Sequence, residues 1–184
     1  DQLVQAAIER AEETGSAYLE LRHEAKQFPA LPSRSHKVSM VLDLPKDADE
    51  LMSSFKSKLR SQIRRPLKEG VTAEIGKAEL VEDFYTVFSQ NMRDLGTPVY
   101  SKRLFENMFE YLPEQCWIVL ARKDDLPIAA GFLVGFKERM EIPWASSLRS
   151  HNKISANMLM YWEALKFSVE SGYTSFDFGR STRE

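Results

Sequence analysis

An α/β protein, a mixed sheet flanked by helices, is the fold class this sequence predicts. Apolar residues recur at helical spacing in several stretches, among them "ELVEDFYTVFSQNMRDLG" and "ANMLMYWEALKFSVES". Between those two stretches, "QCWIVLARK", "PIAAGFLVGFK" and "MEIPWASSL" read as consecutive strands. A helix–glycine–strand phrase also stands near both ends, as "ETGSAYLELRHE" and "ESGYTSFDFGRS".

Residues 2–14 place Leu3, Ala7, Ile8 and Ala11 on one helical face, and Gly15 supplies a left-handed cap. "AYLELRH" (17–23) then alternates as a strand, with Tyr18 and Glu20 opposite Leu19 and Leu21. "QFPALPSRS" is a Pro/Ser connector, and "HKVSMVLDL" reads as the next strand. Asp47 or Asp49 caps a helix that turns Leu51, Met52, Phe55 and Leu59 inward. Its outer side carries Lys56, Lys58, Arg60, Arg64, Arg65 and Lys68, Pro66 should kink or end it, and Gly70 closes it.

"VTAEIG" (71–76) is a short strand, followed by the helix 79–96 with Leu80, Phe84, Val87, Phe88 and Met92 on its core face. Ser101 caps the helix "KRLFENMFEYL", and the turn "DDLP" joins the first two of the three strands. A polar loop, "RSHNKIS", leads into the last helix, and "TSFDFG" is the closing strand.

The chain has 184 residues, 43% of them hydrophobic and 28% charged, with a formal net charge of −2. That balance excludes binding to nucleic acid or membranes through a broad basic field, although a local patch is compatible with it. The single cysteine, Cys116, permits no internal disulfide, fits a reducing compartment such as the cytoplasm, and reads as a small buried hydrophobe. No stretch approaches the roughly 18 apolar residues of a membrane span, and no signal peptide is recognisable. A start at Asp1 and a stop at "GRSTRE" suggest a fragment of a longer protein.

The phrases "SKLRSQIRRPLKEGV", "NMRDLGTPVYSKRLF", "WASSL", "NMLMYWEAL" and "GYTSFDFGRST" together resemble the FemAB-like proteins found with PEP-CTERM/exosortase systems in bacteria. Those proteins are similar to two GNAT acyltransferase halves in tandem. The resemblance implies a GNAT-like mixed sheet and a FemABX-type fragment. Residues 1–46 would be the end of a first half, 47–70 a basic connecting helix, and 71–184 a second half truncated at its C-terminus. The repeated helix–glycine–strand phrase would be one unit seen in both halves; chance recurrence in an α/β protein is the alternative.

GNAT chemistry is attack by an amine on a thioester or ester carbonyl, so a site must deprotonate the amine and stabilise an oxyanion. Pro143 lacks the N–H a ladder needs, so the backbone around Trp144, Ser146 and Ser147 can open to accept a donor chain, or else form an edge strand with a core Trp. Asp177 projects opposite Phe176 and Phe178, either as a base or substrate anchor or as half of an ion pair with Arg180. Gly179 permits a bulge beside them, and Asp177 and Arg180 are the catalytic candidates.

The loop "LRSHNKISAN" has no glycine, unlike the pyrophosphate turn of GNAT proteins that use acetyl-CoA, but offers Arg149, His151 and Lys153, with Asn157 in the following turn. Arg60 and Arg64 are candidates for acceptor phosphates or tRNA, and Tyr100 for stacking on a sugar or base; solvated or stapling roles are the alternatives. Tyr161 and Trp162 read as core.

The reading that results is an N-acyltransferase acting on an amine of an envelope or exopolysaccharide precursor. Its acceptor would be a nucleotide- or lipid-linked saccharide or peptide, and its donor co-substrate aminoacyl-tRNA or acyl-CoA, with no bound cofactor and no metal. An acyl-CoA-dependent N-acetyltransferase on an amino sugar is one alternative. A non-catalytic GNAT-like module that binds a glycan or protein partner is the other.

Overall fold

The protein is described by a computed structural model covering residues 2–23, 27–29 and 31–182. Two units divide the chain: residues 1–38 with 182–184, and residues 39–181. In the first, α1 (Gln2–Glu13) ends where Gly15 takes φ +63 and Ser16 N–H returns to the Ala11 carbonyl (2.9 Å). None of its residues is buried. Residues 17–23 form no strand, contrary to their alternation. Tyr18 and Leu19 stand exposed, and a single alternating segment without a ladder partner has nothing to hold it extended.

The sheet begins with β1 (Lys37–Asp43). Asp47 caps α2 (Ala48–Ser54), accepting the Glu50 N–H at 2.9 Å. The sequence predicts one helix from here to Lys68, but Phe55 and Lys56 turn extended and α3 (Ser57–Lys68) starts afresh. The Arg60 guanidinium explains how the break is tolerated. It donates to the carbonyls of Ser53 (3.0 Å) and Phe55 (2.8 Å), which the helix no longer satisfies. Pro66 falls inside the last turn of α3 without ending it; the helix runs on to Lys68.

β2 (Val71–Gly76), α4 (Val81–Asp94) and α5 (Lys102–Tyr111) follow, the last capped by Ser101. Then come β3 (Cys116–Lys123), β4 (Leu126–Phe136) and β5 (Arg139–Ser147). The polar loop is a 3-10 helix over Arg149–Ile154, before α6 (Ala156–Glu170) and β6 (Ser175–Thr182). The six strands form one mixed sheet in the order β1-β6-β5-β4-β3-β2. β2 to β5 are antiparallel neighbours, whereas β6 returns parallel to β5 because α6 crosses between them.

Each face of the sheet has its own apolar layer. Leu133, Met140, Ile142 and Phe176 pack with Leu159 and Met160 of α6. Phe132, Ile118 and Leu120 pack with Phe84 and Phe88 of α4 and Phe105 of α5. Cys116 is fully buried in that second layer, and burial pushes its thiol up. Among the described residues, no helix is long and apolar enough to cross a membrane.

Candidate active site

β5 and β6 part. Their register runs only through Arg139↔Ser175, Met140↔Phe176 and Glu141↔Asp177. Among the described residues, no pairing joins 142–147 to 178–182, so the facing strand edges open from that point. The expectation that the "WASSL" and "SFDFG" strands part is met in the pairing.

A bulge sharpens the opening. Phe132 pairs with Trp144 and Val134 with Glu141, which sets Ile142 and Pro143 together against Leu133 alone. Pro143 has no N–H to give the ladder, so the extra residue sits where its loss costs least. The bulge also resets side-chain parity. Trp144 shares the α4 face with Phe132, and Glu141 shares it with Val134, although the two lie three residues apart.

At the head of the groove stand two carboxylates. Asp177 is buried beside the first paired residues of β5, opposite in direction to Phe176. Its Oδ1 accepts the Gly179 N–H at 2.8 Å, and its Oδ2 lies 3.7 Å from Arg139 Nη1. Arg139, not Arg180, is therefore its cationic neighbour. Gly179 adopts φ +84, a conformation that lets β6 turn its backbone onto the carboxylate. Glu141 is its Cα partner on β5. Desolvation raises the Glu141 carboxyl above the usual carboxylate range, and the Asp177 charge raises it further, against the pull of Arg139. A depression of about 420 Å³ lies at the paired end of the two strands, lined by Phe136, Lys137, Glu138, Arg139, Glu141 and Ser175 among others and by no residue of the separated edges.

Glu141 is a residue that reading the sequence missed. Its one available signal was an acid in a strand expected to splay, and only the register shows it facing Asp177.

Further along β5 the α4 face is aromatic and polar. Trp144 packs edge-on against Phe105 (5.1 Å between ring centroids) and Tyr100 (6.0 Å). Tyr100 is otherwise exposed, and its carbonyl accepts the Tyr85 hydroxyl at 3.0 Å. Ser146 is buried and accepts from Asn91 Nδ2 of α4 at 3.2 Å. Ser147 pairs with Ala129 in the ladder.

Among the described residues, the remaining candidates make no hydrogen bond or ion pair with the two carboxylates. Arg149, His151 and Lys153 share the 3-10 helix, where His151 Nδ1 and Ser150 Oγ are 2.9 Å apart. Asn157 sits in the first turn of α6, whose start carries no side-chain cap. Arg180 is exposed and unpaired among the described residues. Arg64 is exposed on α3, while Arg60 is engaged at the α2–α3 break. Tyr161 and Trp162 pack against the α6-side core, as their spacing predicts.

The fold and the groove define a GNAT-type domain, and the sequence agrees. The profile of the acetyltransferase (GNAT) domain family matches residues 53–184, well over half of the chain. The chain belongs to that family, a family of acyltransferases. Among solved structures, FemX is similar over 97% of this chain and 60% of its own, with 15% identity and a TM-score of 0.72. The C-terminal domain of a putative lysylphosphatidylglycerol synthetase from Agrobacterium fabrum is also 15% identical, with a TM-score of 0.60 over 79% of this chain and 47% of that one. L-PGS from Bacillus licheniformis gives a TM-score of 0.56 at 15% identity, over 79% and 45%. The chain thus spans about half of the lengths of these proteins. No curated protein matches it.

Proposed function

We propose that this chain is the second half of a cytoplasmic FemAB-like N-acyltransferase that passes an acyl or aminoacyl group to an amine of an envelope or exopolysaccharide precursor. Residues 1–46 would close a first GNAT-like half, with β1 given to the sheet of the second beside β6. The observation that carries the reading is the carboxylate pair, Glu141 and Asp177, placed where β5 and β6 separate.

Glu141 is the general base. It takes a proton from the acceptor ammonium. The freed amine attacks the carbonyl carbon of the donor, and the electron pair moves to the carbonyl oxygen. Backbone N–H groups of the opened β5 edge stabilise that oxyanion. Collapse reforms the carbonyl and expels the ribose oxygen of a tRNA or the sulfur of CoA, which takes up the second proton of the nitrogen, leaving a neutral amide. Asp177, held by the Gly179 N–H, keeps Glu141 basic and orients the acceptor with Arg139 and Arg180. Tyr100 and Trp144 form an aromatic wall for a sugar or peptide.

Arg149, His151, Lys153 and Asn157 would meet the phosphates of the donor at the start of α6. The glycine-free turn there favours aminoacyl-tRNA over acyl-CoA. The test is transfer to an amine acceptor from aminoacyl-tRNA and from acetyl-CoA by the full chain. Glu141→Gln should slow the preferred reaction by about 10²–10⁴-fold. Undiminished transfer by both Glu141→Gln and Asp177→Asn removes the pair from the chemistry.

A further inference from the structure

A second cavity, of about 320 Å³, opens on the opposite face of the sheet from Glu141 and Asp177. Leu59 and Ile63 of α3, Met158, Trp162 and Leu165 of α6, and Phe178 of β6 form most of its wall. Only Asn157 and the polar tips of Tyr161 and Trp162 interrupt the hydrocarbon. Phe178 is directed here by alternation, with its ring 5.8 Å from that of Tyr161. Protein interiors leave few voids larger than a water molecule, and a space of this size lined by carbon gives water few partners. Its volume and composition fall within the range of ligand pockets, roughly 300–1,000 Å³ and mostly apolar.

None of the lining residues is charged, but cations stand beside them on α3. On α3 the Leu59–Ile63 stripe is flanked by Lys56 and Arg64 on one side and Lys58 on the other. All three are exposed, none has an acidic partner among the described residues, and no acid occurs between residues 51 and 68. Mixed signs are usual on a helix whose outer face meets only solvent. An apolar slot beneath unpaired cations is complementary to one chemistry: a hydrocarbon chain ending in an anion.

We propose that this cavity takes the tail of an anionic amphiphile whose phosphate head rests among Lys56, Lys58 and Arg64. The cavity lies on the other face of the sheet from the carboxylates, with Phe178 and Asn157 bordering both it and the proposed donor path; lipid binding is read without turnover, so failure of either assignment leaves the other in place.

Calorimetric titration of the full chain with single-chain phosphatidylglycerols of increasing tail length, below micelle formation, tests it. Affinity should rise roughly threefold to fourfold per added methylene until the cavity is filled, since each buried methylene contributes about that factor. Phosphocholine-headed counterparts should bind about tenfold more weakly, and glycerol phosphate should not register. Leu59→Trp, which fills the slot, should abolish binding without lowering the thermal midpoint. Should that variant misfold, Lys58→Glu with Arg64→Glu on the exposed rim should selectively weaken the anionic series. Affinity independent of chain length, or unchanged by both sets of substitutions, overturns the proposal. So does a tRNA transcript that competes for the rim while the lipids show no length dependence, which would assign the cations to nucleic acid.

Discussion

Glu141 and Asp177 are Cα partners on parallel neighbouring strands, and they are the last pair before those strands separate. Two carboxylates facing each other at a strand edge disfavour joint ionisation. In the proposed mechanism this arrangement keeps Glu141 available as a base where the backbone opens.

The pH dependence of transfer follows from that pairing. Although Glu141 is exposed at the surface, partial desolvation and Asp177 raise its carboxyl, so the acid limb of kcat/KM should lie above the ordinary carboxylate range. Asp177→Asn removes one of the raising causes and should move that limb to lower pH. Arg139→Leu removes the opposing cation and should move it upward. A limb that stays put in both variants would show that another group controls the proton.

The same pairing makes a stability prediction of opposite sign from the usual paired acid. A carboxyl whose folded pKa is raised binds more protons in the folded state, so stability falls as pH rises from the unfolded value to the folded one. Above that window Glu141→Gln should melt higher than the parent chain, and below it the two should coincide. Thermal midpoints recorded across pH check this.

Donor binding should respond to the basic 3-10 helix. Replacing Arg149 and Lys153 with Ala removes two exposed cations near the start of α6. For a single-stranded tRNA end, the slope of log affinity against log salt should fall by about 0.7 for each phosphate left without its cation. An unchanged slope, measured by filter binding, would return those side chains to solvent.

Two structural features offer tests of the scaffold alone. Arg122 bridges Asp83 of α4 (2.5 Å) and Glu74 of β2, and although burial opposes its charge, those hydrogen bonds hold its pKa up. Its side chain is 19% exposed, so Arg122→Met should cost about 1–3 kcal/mol, between the values for surface and buried pairs, in urea unfolding.

Gly135 leaves no room for a side chain, because an added Cβ would lie 2.0 Å from the Tyr173 hydroxyl. Gly135→Ala should therefore displace Tyr173 from Trp117 and cost about 1–3 kcal/mol. Adding Tyr173→Ala should recover part of that loss; simple additivity would show that the two positions do not touch.

The mixed sheet was legible because its strands are long, apolar and separated by periodic helices, as in "CWIVLARK" and "PIAAGFLVGF". Pro143 announced the ladder break, and Asp177 could be placed opposite Phe176 by alternation. Glu141 was hidden because alternation from Trp144 puts it on the wrong face; the bulge that corrects the parity is a property of pairing with β4, not of β5 alone. The α2–α3 break was equally silent, since Phe55 and Lys56 carry no helix-stop residue and Arg60 acts across the gap. The alternation of 17–23 was present without a partner strand to use it.

In the proposed reaction, the parted edges of β5 and β6 receive the transferred group. At 21.2 kDa the chain permits assignment of backbone amide resonances. Titration with acetyl-CoA and with a hydrolysis-resistant aminoacyl-nucleotide should shift the amides of Ile142, Trp144, Ala145, Phe178 and Gly179 most with the true donor, in both the parent chain and Glu141→Gln. Saturable binding that leaves those amides unmoved and perturbs residues elsewhere would contradict the account.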